Sequence, residues 1–221
     1  NMYIEWQKDM GEEPMDKQDV ARCYKKEIKK GNIDAMVLYA LMLINGDGIK
    51  KDTKKAIKYL EMAKKKDSSF AIHNYAVVLC EGNGIEPNKE KAAKLYKLSI
   101  QKRNYSSLSC YADMLYSGDG IPQNKKKALK YYLMSVDHNH DFYSIRKVAC
   151  MMIDGEGCHV DLEKGLSYFK IGMDRGDDIS TFNYAVMLEA GKGCEQNVEE
   201  AVRLYKLGAK NGNDYSMYEY G

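Results

Sequence analysis

An all-α chain, folded as a solenoid of about five tandem helix pairs, is predicted by three features of this 221-residue sequence. A Gly-x-Gly element recurs five times. Each copy follows a stripe of small and apolar residues at helical spacing, and each precedes an Asp or Asn that opens a second such stripe. A period of this size marks one supersecondary unit, too small to bury its apolar face alone and stacked on its neighbours for that reason.

The glycine element stands at Gly46-Asp47-Gly48, Gly82-Asn83-Gly84, Gly118-Asp119-Gly120, Gly155-Glu156-Gly157 and Gly191-Lys192-Gly193, at steps of 36, 36, 37 and 36 residues. A single Gly-x-Gly would be noise, but five in register specify a turn. Ending one helix and starting an antiparallel one within a few residues requires φ > 0, which glycine adopts without steric cost. Six residues before each first glycine stands Ala40, Ala76, Ala112, Ala149 or Ala185, and one earlier Tyr39, Tyr75, Tyr111, Val148 or Tyr184. With Leu43, Leu79, Leu115, Met152 and Leu188 they form one face, the first helix of each pair.

After the turn come Asp52, Asn88, Asn124, Asp161 and Asn197. Their short side-chain oxygens suit the orphan N–H groups of a helix's first turn, so each is an expected N-cap. The second helix carries a small residue (Ala56, Ala92, Ala128, Gly165, Ala201), an aromatic or leucine pair such as Tyr131-Tyr132, and then a large residue (Met62, Leu98, Met134, Ile171, Leu207) expected to fill the space between helices. Gly31-Asn32, Gly176-Asp177 and Gly212-Asn213 read as a helix stop followed directly by the next cap. Gly165 departs from the pattern by losing helix propensity, and Val148 by losing the aromatic.

These helix pairs, with their Gly-x-Gly-apolar loop and capped second helix, resemble the Sel-1-like repeat. The tetratricopeptide repeat, with its period of about 34 residues, fits less well. The resemblance implies a right-handed α-α superhelical solenoid whose first helices line a concave groove. It divides the chain into residues 32–67, 68–103, 104–140, 141–176 and 177–212. Residues 1–31 form an N-terminal segment with a partial repeat (second helix at about 19–30), where the stretch around Trp6 reads as a cap or a degenerate repeat. Residues 213–221 open a sixth, truncated repeat, so a longer parent protein is expected.

Bulk properties exclude several function classes. With 34 basic and 32 acidic residues the net charge is +2, which lacks the dominant basic face of a nucleic-acid binder. No apolar run approaches the roughly 18 residues of a membrane span, so no direct membrane insertion is expected. The given sequence opens on no charged-then-apolar stretch, so no secretory signal is expected if Met2 is the native start. Cys23, Cys80, Cys110, Cys150, Cys158 and Cys194 form no CxxC pair and no regular spacing, so free thiols in a reducing, cytoplasmic setting are expected. Asn104-Tyr105-Ser106 fits a glycosylation acceptor and keeps the secretory pathway as the alternative.

No nucleophile, metal or phosphate motif emerges, and neither cofactor nor catalysis is expected. His138-Asn139-His140-Asp141 coincides with the one-residue insertion in the third repeat and reads as a polar surface loop rather than a metal site. Lysine runs such as Lys50-Lys51, Lys54-Lys55 and Lys125-Lys126-Lys127 read as solvated exterior. What varies between copies is a stripe on the first helices, 12, 9, 8, 5 and 1 residues before each first glycine. From it the candidate partner-binding residues are Leu38, Leu41, His73, Asn74, Val77, Ser109, Asp113, Arg146, Lys147, Phe182, Asn183 and Val186. Val37, Phe70, Tyr143, Cys150 and Ile179 share these registers. The mixture of aromatics, aliphatics and isolated charges suits a protein or peptide partner. The expected function is a non-catalytic scaffold or adaptor. The alternative is an envelope or secretory-pathway protein that binds glycan or cell-wall material. Oligomeric state is not legible.

Overall fold

All five predicted caps engage. Asp52 accepts the backbone N–H of Lys55 at 2.9 Å, Asn88 that of Lys91 at 2.9 Å and Asn124 that of Lys127 at 2.9 Å. Asp161 and Asn197 do the same for Lys164 and Glu200 at 3.0 Å. Each satisfies a donor that the first helical turn leaves without an intrahelical partner.

The computed structural model describes residues 15–139 and 141–210. Eleven α-helices and no strand occur among them: α1 (Lys17–Lys29), α2 (Ile33–Asn45), α3 (Thr53–Lys65), α4 (Ser69–Glu81), α5 (Lys89–Gln101), α6 (Ser107–Ser117), α7 (Lys125–Asn139), α8 (Phe142–Asp154), α9 (Leu162–Asp174), α10 (Asp178–Ala190) and α11 (Val198–Lys210). The expectations for Trp6, His140 and the sixth repeat lie outside the described residues.

The chain divides into two compact units, residues 1–104 and 105–221. In the first, α1 packs on α2, α3 on both α2 and α4, α5 on α4, and α2 meets α4 directly. First helices therefore share one layer and second helices the other. Met36, Tyr39, Leu60 and Ile72 are fully enclosed between them. In the second unit α6 to α11 pack successively, enclosing Leu108, Tyr132, Ile145 and Met151. Each such side chain contributes roughly 1.5–3 kcal/mol by burial.

The glycines have two separable roles. First glycines all have positive φ, and four are left-handed, with φ +78° at Gly46 and +70° at Gly155. Second glycines such as Gly157 and Gly193 also lie against the preceding repeat of their unit: a Cβ on Gly157 would sit 2.5 Å from the backbone carbon of Lys125, and one on Gly193 2.5 Å from the Leu162 carbonyl oxygen. These loops rest on the first residues of α7 and α9, so the second glycine sets the distance between successive repeats. Gly165 has a packing reason too, because a Cβ there would meet Cγ1 of Ile153 at 2.4 Å.

Expectations for the second helix and for His138-Asn139 are corrected, and two junctions depart from the common pattern. The large residue of the second helix is not uniformly core, since Met62 is 45% and Leu207 49% exposed. The junction between repeats does not require glycine: Asp67 (φ +69°) and Arg103 (φ +61°) adopt the left-handed conformation that Gly31 and Gly176 adopt elsewhere. The first helix of the third pair starts late, at Ser107. His138 and Asn139 belong to the last turn of α7 rather than to a loop. The last two are connected. The Tyr105 ring stacks on His138 with centroids 3.9 Å apart, and its carbonyl accepts the Asn139 side-chain amide at 2.8 Å, so the chain enters α6 only after Tyr105. Asp141 is the N-cap of α8, accepting the Ser144 N–H at 2.7 Å and the Ser135 hydroxyl at 2.6 Å.

Candidate binding surface

Side chains on a helix recur on one face every three to four residues, so the registers 12, 8 and 5 before the first glycine share a face that the core stripe leaves outward. On α8 and α10 this face carries Tyr143 (40% exposed), Lys147, Ile179 (43%), Asn183 and Val186 (37%). A recess of about 280 Å³ opens among Tyr143, Lys147, Ile179 and Asn183, bounded also by Tyr116, Cys150, Glu156 and Phe169.

The charges around it are sorted by pairing. Glu156 accepts Lys125 Nζ at 2.6 Å and the Tyr116 hydroxyl. The Lys125 hydrogen bond, then that of Tyr116, holds its carboxyl below the usual range. The same bond to Glu156 pushes the Tyr116 hydroxyl up to about 12. Lys147 Nζ lies over the faces of Tyr116 and Tyr143, at 5.0 and 5.5 Å from the ring centroids. Ring quadrupoles attract a cation without consuming its N–H donors, so Lys147 stays available to an incoming anion or carbonyl. Asp113 accepts the hydroxyls of Tyr132 and Tyr143, the latter at 2.6 Å. Burial first, and this carboxylate second, raise both tyrosines above their ordinary value. Tyr143 is thereby fixed as one wall of the recess. Burial also raises the Cys150 thiol, with Asp154 adding to the effect.

The structure brings together Lys147 and Asn183 at this recess, with Arg146 at its edge, Asp113 behind Tyr143 and Val186 further along α10. Ser109 is half-buried on α6. Leu38, Leu41, His73, Asn74 and Val77 fall on α2 and α4, half-buried, in the first unit. Asn74 and Asn183 match in detail: each donates its amide to the carbonyl four residues back, Phe70 or Ile179, at 2.8 Å.

The register nine before the first glycine behaves differently, and this separates the candidates. Val37 is 0% exposed. His73 lies 5.9 Å from the Tyr96 ring, and burial holds its imidazole below the ordinary value. Phe182 packs at 5.8 Å on Tyr205 of α11. Arg146 pairs at 2.7 Å with the buried Asp177, which also accepts the Ser180 N–H at 3.0 Å. These side chains lean toward second helices or the next repeat instead of away from the core. Tyr116 and Glu156 were missed at the sequence level. Tyr116 could have been found, because its register reads Ile44, Cys80, Ile153 and Glu189 elsewhere. Glu156 could not, because its role comes from a loop meeting the preceding repeat.

Comparison with known proteins places this geometry in a family. The family model of the Sel1 repeat matches residues 33–68, 69–104, 108–140, 143–177 and 179–213. The chain belongs to the Sel1 repeat family. No curated protein matches it. Among solved structures, the Sel1 array is similar to c5321, a protective antigen of uropathogenic Escherichia coli strains displaying an SLR fold. They share 22% identity over 97% of this chain and 46% of that one, with a TM-score of 0.84. The chain thus spans less than half the length of that antigen. A Sel1 repeat protein from Oxalobacter formigenes is 22% identical over 91% of this chain and 86% of that one, with a TM-score of 0.75. YrrB, a TPR protein with an unusual peptide-binding site, is 16% identical over 90% of this chain and 98% of that one, with a TM-score of 0.56. At these identities the likeness shows the fold, an all-α helical-repeat solenoid.

Proposed function

We propose that this Sel1 array is a non-catalytic interaction scaffold that binds a protein or peptide on the outward face of its first helices. The principal surface is the recess on α8 and α10. The observation that carries the reading is the grouping there of a cation between two tyrosine faces, an amide and the exposed Ile179, with exposed Val186 further along the same helix face. An aromatic and apolar patch with a few directed polar groups is the composition of an interface core. Support for a peptide ligand comes from YrrB, itself described as having a peptide-binding site. A reducing, cytoplasmic setting is proposed on the six cysteines, which stand as separate thiols.

The test selects a displayed peptide library on the whole protein and measures the enriched peptides by fluorescence anisotropy. Lys147→Ala, Ile179→Ala and Val186→Ala together should weaken binding at least about tenfold, since a few central residues carry most interface energy. Lys126→Ala, Lys130→Ala and Lys170→Ala, on second helices, should leave it unchanged. Arg146→Ala must be kept out of the binding set. It strips Asp177 of its charge partner and should cost about 1–3 kcal/mol of stability, visible as a lower Tm. Equal losses from the two lysine-containing sets would refute the assignment.

A further inference from the structure

The near-neutral total conceals a division of charge between the two units. Residues 1–104 hold 21 Lys and Arg against 15 Asp and Glu, whereas residues 105–221 hold 13 against 17. The surplus in the first unit sits on its second helices. Lys26 and Lys29 on α1, Lys54, Lys58 and Lys65 on α3, and Lys97 on α5 are all exposed, and none is ion-paired among the described residues. On α3, Lys54, Lys58 and Lys65 stand at steps of four and seven residues and so share one helix face, whereas Lys26 and Lys29 border a recess that Asp34, Ala35 and Leu38 of α2 also line. Lys50 and Lys51, exposed in the turn before α3, extend the array. Met62 lies within it, a large apolar side chain 45% exposed between Lys58 and Lys65.

The kind of cation narrows the occupant. Nineteen of the 21 basic residues are lysine, the exceptions being Arg22 and Arg103. Binding of nucleic acid and of acidic protein patches favours arginine, whose planar fork pairs bidentately with phosphate and carboxylate and stacks on rings. Protein interface cores are depleted in lysine. A lysine array works best where no fixed geometry is demanded. At an anionic bilayer each ammonium stays hydrated and gains from the surface potential within about a Debye length. A single flexible methionine can then enter the headgroup region. No helix among the described residues is long and apolar enough to cross a membrane, so contact of this kind is peripheral.

We propose that the second-helix face of residues 15–104 docks on membrane surfaces rich in anionic lipid. This leaves the first-helix faces to a partner. Sedimentation of the whole protein with vesicles of phosphatidylcholine containing about 30 mol% phosphatidylserine, at low salt, should recover most of it. Pure phosphatidylcholine vesicles should recover little, and NaCl on the order of 0.5 M should release the bound protein. Lys54→Glu, Lys58→Glu and Lys65→Glu together should weaken vesicle binding by tenfold or more with an unchanged helical circular-dichroism signal. If that variant folds poorly, the three Gln changes should give a smaller loss in the same direction. Lys126→Glu, Lys130→Glu and Lys170→Glu in the second unit should change binding less than twofold. Absence of binding to anionic vesicles would overturn the proposal, as would equal losses from both triple variants. Capture of RNA or polyglutamate in place of vesicles would overturn it as well, assigning the face to a different polyanion.

Discussion

His73 on α4 is enclosed enough that its imidazole is held below the ordinary value of 6.5, with burial as the cause. The folded state therefore keeps it neutral, while the unfolded chain takes up a proton as pH falls through about 6.5. Its contribution to stability is complete above that pH and is lost as pH falls toward the depressed folded value, because the unfolded state then binds more protons. Comparing urea midpoints at pH 7.5 and 5.5, wild type should lose more stability than His73→Gln. The differential is bounded by about 1.4 kcal/mol per pH unit. Parallel losses in the two proteins would show that His73 titrates alike in both states. The same side chain shows why one register can contain both candidates and core. The offset of nine points between the outward face and the neighbouring helix, and only packing decides which side takes it.

At the scale of the element, the loop glycines separate conformation from contact. A Cβ on Gly176 (φ +89°) would meet no atom within 4 Å, whereas one on Gly157 (φ +77°) would lie 2.5 Å from the Lys125 backbone. Gly176→Ala should cost about 1–2 kcal/mol, the strain of a left-handed L-residue. Gly157→Ala should cost more, by roughly 1–3 kcal/mol for overpacking against backbone that cannot move aside. Equal losses in urea unfolding would mean that the second glycine serves conformation alone. Glu156, beside it, ties the same loop to Lys125 and Tyr116, so the residue between the glycines has no uniform role across the repeats.

Across the whole molecule the six cysteines stand as separate thiols, four half-buried and two, Cys150 and Cys158, exposed. Since the thiolate is the reacting form, the raised Cys150 thiol should alkylate more slowly than exposure alone suggests. Mass spectrometry of the native protein at about pH 8 should find Cys158 modified first. After denaturation without reductant all six should label. A protected pair would contradict the reducing setting proposed above.

The five-repeat architecture was legible because its determinants are local. Positive φ at Gly46 or Gly155, capping by Asp52 or Asn88 and burial of Ala40 or Ala76 each depend on a few neighbouring residues repeated in register, and repetition turns weak signals into a strong one. The surface was only half legible. Variation along the first helices pointed to Lys147, Asn183 and Val186, which do lie on an outward face. It could not tell them from Arg146 or Phe182, whose partners Asp177 and Tyr205 are supplied by the next repeat and the second helix. Nor could it find Glu156, or a basic layer formed by helices some 36 residues apart in the chain. Sequence by itself determined the repeat, its turns and its core. Tertiary structure decided which polar side chains were consumed in joining repeats and which remained for a partner, because that depends on distances between residues a full repeat apart.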